Sequence, residues 1–528
     1  MKQFSYVKVK APKKSVFDLS HEKKLTCEMG ELIPVYLQEV IPSDKFTLRM
    51  DALVKFQALL SPLMHRINLY GHFFFVPYRL IWDDWEDFIT GGRNGDLEPN
   101  FPKFQGYHSV WNQYVNLGSL SDYFGIPVTE FSDTSDAVPG ISQLPYRAYQ
   151  LIYNEYYRDN NLEDEVLVHK DSLDRTINTT ESRNVMQLRK RAWEKDYFTS
   201  ALPFAQRGAD VHLPLSGSAP VSGEMAIRYL DDDTVASFAQ GQIIGEGGRI
   251  KEYTGTTNRT LKLSSPSGTT EPLEADLSQA TSATINELRT SFALQRWLER
   301  NARAGARYVE QILAHFGVKS SDARLQRPEF LGGGKIPVQI QEIVRTASEG
   351  TEGPVGEQLG KAMAAGNLLG FSKYFEEHGF IMGIMSILPR TAYYQGIPKI
   401  LTKFDRFDYF FPDFANLGEQ EIKSQELYLS EEIADNEETF GYQERYAEYR
   451  YAFDTVHGDF RDTLEFWHMA RKFESKPILN KDFVISNPTE RIYAIWDEQN
   501  PPDYKKVQVQ LYFSVTAVRP IPKHGTPI

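Results

Sequence analysis

Apolar residues recur at every second position in two stretches near opposite ends of the chain. Phe46, Leu48, Met50, Ala52, Val54 and Phe56 share one face, and Thr47, Arg49, Asp51 and Lys55 share the other. Val507, Val509, Leu511, Phe513, Val515 and Ala517 alternate with Gln508, Gln510, Tyr512, Ser514 and Thr516. A period of two is the signature of a half-buried strand. Weaker apolar runs predict further strands over Ile67–Val76, Lys335–Val344 and Phe380–Leu388. Strands at both extremes, hundreds of residues apart, suit an antiparallel sheet system closed by its two ends. The expected fold is mainly β, a sandwich or jelly roll, since such folds tolerate long insertions between strands.

Helical spacing interrupts this pattern. Thr284-x-x-Glu287 forms a capping box ahead of Ile285, Leu288, Phe292 and Leu298, predicting a helix that Gly305 breaks. A second helix is expected from about Ala306 to Phe316, stopped by Gly317. Leu151–Tyr157 and Met186–Tyr197 are expected as short helices. Residues Gly208–Ala283 are rich in Ser, Thr, Gly and Asp, with GEGG at Gly245–Gly248 and SSPSGTT at Ser264–Thr270. Little there can seed a core, so the stretch reads as a long surface excursion and not as a linker.

Composition narrows the class. Of 528 residues, 41% are hydrophobic and 13% aromatic, which is globular. The 28 Tyr, 33 Phe and 28 Pro suit strands, irregular loops and extensive interfaces better than a helical protein. A net charge of −13 excludes a generic nucleic-acid binder. Yet Lys2, Lys8, Lys10, Lys13 and Lys14 all precede the first acidic residue, Asp18. Such an arm can meet phosphates by counterion release, or it can be a disordered, solubilising terminus. Cys27 is the sole cysteine, so no intrachain disulfide or thiolate zinc site is expected, and a small buried hydrophobe in a reducing compartment is. The N-terminal lysines precede no apolar core of a signal peptide, and no run reaches the ~18 apolar residues of a membrane span.

Catalytic chemistry finds little support. Asp83, Asp84, Glu86 and Asp87 are too close in sequence to face each other across a bond, and they read as a solvated turn or an inter-subunit salt-bridge site. Asp405, Asp408 and Asp413 lack the dense spacing of a calcium loop. His65, His72, His315 and His378 each stand beside apolar residues and read as hydrogen-bonded core or interface histidines. Gly332, Gly333 and Gly334 precede Lys335, but Ile336 follows where a phosphate loop needs Ser or Thr. Neither an enzyme nor a cofactor is expected.

Two basic constellations remain. Arg296, Arg300, Arg303 and Arg307 are spaced to form one helical stripe, suited to phosphates or, in an acidic self-assembling protein, to carboxylates of a neighbouring subunit. The segment RYAEYRYAFD interleaves Arg445 and Arg450 with Tyr446, Tyr449, Tyr451 and Phe453. That mixture suits unpaired bases and a protein hot spot equally.

Eight blocks, in order, resemble the major capsid proteins of gokushovirus-type microviruses, small icosahedral single-stranded DNA phages (the microvirus F protein family). They are FDLSHEKKLT (Phe17–Thr26), MHRINLYGHFFFVPYRLIW (Met64–Trp82), DYFTSALPFAQRG (Asp196–Gly208) and the long run from Gln295 to Gly334. EHGFIMGIMSILPR (Glu377–Arg390), YYQGIPK (Tyr393–Lys399), FPDFANLGEQEI (Phe411–Ile422) and FGYQERYAEYRY (Phe440–Tyr451) complete them. The resemblance implies one capsid domain over residues 1–528, an eight-stranded antiparallel jelly roll with long loop insertions containing several helices. Its copies would form pentamers that close into a T=1 shell around circular single-stranded DNA, by contacts that return on themselves. It implies a basic arm over 1–16 pointing inward, and an insertion over about 208–283 standing at the threefold axes and used in host attachment. Lys8, Lys10, Lys13, Lys14, Arg445, Tyr446, Tyr449 and Arg450 become candidate interior DNA contacts, and the arginine stripe a candidate subunit interface. Implied partners are an internal scaffolding protein, a DNA-pilot minor protein, a small basic DNA-packaging protein, the genome and a host surface receptor. The expected location is the virion, assembled in the bacterial cytoplasm. The competing readings are a carbohydrate-binding or carbohydrate-cleaving jelly-roll protein, which would need facing carboxylates and usually an export signal, and a sequence-tolerant single-strand binder, which the net charge opposes.

Overall fold

The alternating stretches at the two ends of the chain become neighbours. In the computed structural model, residues 13–94, 96–107, 111, 113–129, 137–209, 221–222, 226–229, 242–246, 249–253, 258–264, 274–275, 285–304, 308–317, 319, 321, 326–346, 356, 358–494 and 504–524 are described. The chain divides into two compact units, residues 1–207 with 299–528 and residues 208–298.

The larger unit is built on ten strands: β1 (Ser15–Asp18), β2 (His21–Cys27), β3 (Ile33–Val40), β4 (Lys45–Phe56), β5 (Ile67–Pro77), β6 (Glu329–Pro337), β7 (Gln339–Val344), β8 (Gln358–Tyr374), β9 (Gly379–Pro389) and β10 (Val507–Arg519). One sheet runs β1-β10-β4-β8-β7, with β2 also lying along β10; the other runs β6-β5-β9-β3. Every pairing in both is antiparallel. β10 pairs with β4 from Val507↔Phe56 to Val518↔Lys45, so the first and last long strands lie side by side. Their apolar positions are buried as the alternation requires.

The two sheets share one core. Phe73 on β5 meets Phe371 on β8 at 5.7 Å between ring centroids, and Tyr36 on β3 meets Phe513 on β10 at 5.2 Å. β5 is buried on both faces, which explains its apolar run over residues 73–76. Ile67, Leu69, Phe73 and Phe75 enter the inter-sheet core, whereas Phe74 and Val76 point to a second core. Helix α1 (Leu144–Ile152) and the segments around it fill that second core with Tyr146, Tyr149, Ile152 and Trp82.

Two expectations are corrected. Lys335–Val344 is not one strand: β6 pairs with β5 as far as Pro337, and β7 then pairs with β8 in the other sheet. Proline brings no N–H to continue a ladder, and the chain changes sheet there. Met186–Tyr197 is not a helix. A helix ends at Met186, and the following backbone is extended, bonding through Arg189, Arg191 and Trp193 to Leu32, Gly30 and Val484. Helices α2 (Ile285–Ala304) and α3 (Tyr308–Phe316) lie where expected. Gly317 ends α3 at φ +67°, its N–H on Leu313 O at 2.9 Å. Thr284 and Gly305 lie outside the described residues.

In the smaller unit, four antiparallel strands are ordered Ala226–Tyr229, Asn258–Ser264, Arg249–Tyr253 and Gln242–Glu246. Val221–Ser222 pairs with Glu274–Ala275. The Ser/Thr/Gly-rich stretch therefore carries a sheet of its own, which its composition did not announce.

Two half-buried histidines give the larger unit a pH dependence. His65 bonds Arg390 O at 2.6 Å through Nε2, and His72 bonds the Tyr157 hydroxyl at 2.8 Å. Burial pulls both imidazoles down to about 4. Between that value and the ordinary ~6.5, the unfolded chain takes up protons that the folded one refuses. Stability is thus intact above ~6.5 and is lost as pH falls toward 4. The urea midpoint should drop over this window, and His65→Gln with His72→Gln should flatten that drop; an unchanged slope would contradict the assignment.

Candidate functional site

The Arg445–Phe453 segment is shaped by a hairpin. Strands Glu419–Lys423 and Thr439–Glu444 pair antiparallel, and the chain then turns at Tyr446, whose φ of +64° lies in the left-handed region. Its N–H donates to Gln420 Oε1 at 2.9 Å, and its ring lies 5.1 Å from Phe410. Tyr446 is only 3% exposed, so it holds the loop and offers no face to a base. That burial argues against its place among the candidate DNA contacts. Tyr449 and Tyr451 are the exposed tyrosines of the segment.

The cations around it are engaged. Arg450 pairs with Glu444, and the Arg445 guanidinium lies 5.1 Å over the Tyr446 ring and 5.8 Å over Phe414. Lys403 Nζ donates to Glu448 Oε1 at 2.7 Å and sits 4.1 Å over the Tyr449 ring. Burial alone would raise Glu448, but hydrogen bonds from Lys403 and Gln420 outweigh it and hold the carboxyl below its usual range. Lys399 Nζ pairs with Glu426 at 3.0 Å. Between these pairs lies an apolar cavity of about 380 Å³, lined by Tyr197, Ile400, Tyr409, Tyr449, Tyr451 and Phe453 among others.

On α2, Arg296 and Arg300 are exposed. Arg303 donates to Glu419 Oε1 at 2.5 Å and Gly418 O at 3.0 Å in the same chain. Burial raises the Glu419 carboxyl against the pull of Arg303. Arg307 lies outside the described residues, as do Lys8 and Lys10. Lys13 is exposed, and Lys14 Nζ donates to Ser43 O at 2.8 Å while standing 5.0 Å over the Tyr374 ring. Among the described residues, the structure thus brings together the Arg445–Phe453 group.

The remaining candidates serve the fold. Asp405 and Asp408 cap one short turn reciprocally, and Asp84 accepts from Ser172. Gly333 lies in β6, where a Cβ would stand 2.5 Å from Gly71 O. Cys27 is buried. Among the described residues, no group of three His, Cys, Asp or Glu is placed to hold a metal, and no helix is long and apolar enough to cross a membrane.

A two-sheet framework wrapped in long loops, with engaged charges and exposed aromatics, suits a surface that meets other proteins. The family described as "Capsid protein (F protein)" matches residues 5–528. The chain belongs to this family. It is similar to capsid protein VP1 of Chlamydia phage 1, 36% identical, with 99% of this chain and 97% of the relative covered. VP1 of Bdellovibrio phage phiMH2K is also 36% identical, covering 97% and 95% of the two chains. VP1 of Spiroplasma virus 4 is 30% identical, covering 99% and 97%. This capsid protein is therefore of the gokushovirus type, a major capsid protein and a component of the virion. The family's role is structural, and its members assemble with copies of themselves into a shell.

Proposed function

We propose that copies of this capsid protein form pentamers that close into a T=1 icosahedral shell around a circular single-stranded DNA genome, without catalysing a reaction. The observation that carries the reading is strand order. Counting β2, β3, β4, β5, β6, β8, β9 and β10 as one to eight, the sheets read 1-8-3-6 and 2-7-4-5. That order supports an eight-stranded jelly roll, a fold that viral capsids use. On this reading residues 208–283 are the insertion, standing at the threefold axes as a protrusion for host attachment. The Lys8–Lys14 arm faces the genome, and Arg296 and Arg300 meet carboxylates of a neighbouring subunit. An internal scaffolding protein, a DNA-pilot protein and a small basic packaging protein assist, and assembly takes place in the host cytoplasm.

One experiment tests these statements together: electron cryomicroscopy of particles from cells expressing this chain with its co-encoded proteins and genome. The expected map has T=1 symmetry, threefold protrusions formed by residues 208–283, density from the arm on the inner wall, and Arg296 and Arg300 at a subunit boundary. Particles of another symmetry would overturn the shell geometry. An insertion on the inner wall, or arginines facing solvent, would overturn those assignments singly.

A further inference from the structure

Residues 400–417 with Tyr449 and Tyr451 form an exposed apolar surface out of proportion to a free subunit. Phe404 is 90% exposed and Ile400 77%. Leu401, Phe407, Tyr409, Phe410, Phe411, Leu417, Tyr449 and Tyr451 are each at least 41% exposed. Ile400, Tyr409, Tyr449 and Tyr451 line the same cavity, Phe410 packs 6.3 Å from Tyr449, and Phe407 and Phe411 both pack on Phe414. Arg445, over both Phe414 and Tyr446, joins the two groups, since Tyr446 packs on Phe410. With ~150–250 Å² carried by each aromatic side chain, the exposed part comes to roughly 1,000 Å². The largest apolar patch of an ordinary monomer is ~300–600 Å², and a stable interface takes ~800 Å² from each partner.

Charge decides what covers it. Lys399, Lys403 and Arg450 at its edge are each paired with a carboxylate of this chain. Asp405, Asp408 and Asp413 stand within it, and all three are exposed. Arg406 is exposed within it and stacks on Phe407, and Arg445 stacks on Phe414 and Tyr446. Three exposed carboxylates against a single exposed, unpaired arginine disfavour a phosphate backbone and suit protein. The family supplies the protein, since its members assemble with their own copies.

We infer that this surface is a contact between subunits, covered in the shell by a second copy of this chain, with the aromatic cavity receiving a side chain of that copy. The contact is separate from the arginine stripe, and it assigns the Tyr449–Tyr451 loop to protein and not to DNA. It rests on the reading that copies form a shell.

Hydroxyl-radical footprinting of particles against unassembled, folded subunits tests it. Oxidation of Phe404, Tyr409, Phe410 and Tyr449 should fall severalfold in particles, and equally in full and DNA-free ones. Equal oxidation in subunits and particles would overturn the inference, as would protection confined to DNA-filled particles. Protection of lone subunits by a co-expressed phage protein, with none added on assembly, would also overturn it. Phe404→Glu with Phe410→Glu should leave the circular dichroism of the subunit unchanged and lower particle yield severalfold; a normal yield counts against the contact. Absence of particles from the unaltered chain would instead sink the shell reading, and this assignment with it.

Discussion

Gly370→Val is expected to leave almost no soluble subunit, and Gly370→Ala to lower the urea midpoint steeply. A Cβ at this position would lie 1.6 Å from Leu48 O, 2.6 Å from Leu48 C and 2.9 Å from Arg49 Cα. All three atoms are backbone of β4, which is paired on its far side with β10. The ladder between β8 and β4 shifts register between Leu368 and Phe371, and the close approach falls in that irregularity. From the other side, Gly332 of β6 approaches Gly370 O, leaving a Cβ on Gly332 only 3.1 Å of room. Overpacking against side chains costs about 1–3 kcal/mol, and here the obstacle is a central strand that cannot rotate away. A loss above about 4 kcal/mol would consume much of the ~5–15 kcal/mol that holds a typical domain. Gly366→Ala is the control on the same strand. The three atoms nearest its Cβ would all belong to the Ile336 side chain, from 3.2 Å, which can give where backbone cannot, so the midpoint should change little. Soluble yield and midpoint of Gly370→Ala equal to the unaltered chain would refute the argument.

The same strand marks the limit of what could be read from sequence. β4 and β10 were legible because large apolar residues alternate with polar ones along both. β8 is the longest strand at 17 residues, yet it was missed. Its core-facing positions include Ala362 and Ala364, and it carries Gly360, Gly366 and Gly370, so no alternation of bulk marks it. Its glycines are small because of what other segments bring against them, the backbone of Ser61 at Gly360, the Ile336 side chain at Gly366 and the backbone of Leu48 at Gly370, and that complementarity is invisible one residue at a time. Of the four histidines read from their apolar neighbours, His65, His72 and His315 each bond a polar partner, whereas His378 packs its ring 5.5 Å from Trp85. Tyr446 was not readable. Its sequence context matches that of the exposed Tyr449, and only the left-handed turn that buries it separates the two. The exposed aromatics of 400–417 were missed because an apolar run gives no sign of whether its cover comes from its own chain.

Arg147→Met is expected to lower stability by about 3 kcal/mol or more, although methionine keeps the unbranched apolar stem and α1 tolerates it by propensity. Arg147 is 1% exposed, the most deeply buried cation beside the second core. Its Nη1 donates to Ile81 O at 3.1 Å and Asp171 O at 3.0 Å, and its Nη2 to Gln143 Oε1 at 2.8 Å. One planar group thus ties α1 to the turn that seats Trp82 and to the loop at Asp171. Burial pulls the guanidinium down to about 10, which still leaves it charged at neutral pH. Removing it strands two carbonyl oxygens without their donor, a penalty of ~1–3 kcal/mol each when water cannot replace it. The Asp171 carboxylate is not stranded. Arg175 holds it from the other side, at 2.8 Å, and keeps its pKa down at about 2. The loss should therefore be independent of pH between 5 and 8, unlike that of a broken ion pair near a titrating group. Arg147→Lys should recover only part of it, because an ammonium cannot reach three acceptors in one plane. Urea midpoints for both variants decide the matter. If lysine restores full stability, charge alone holds the loops, whereas if methionine is neutral, water enters beneath α1 and the forked geometry carries no stability.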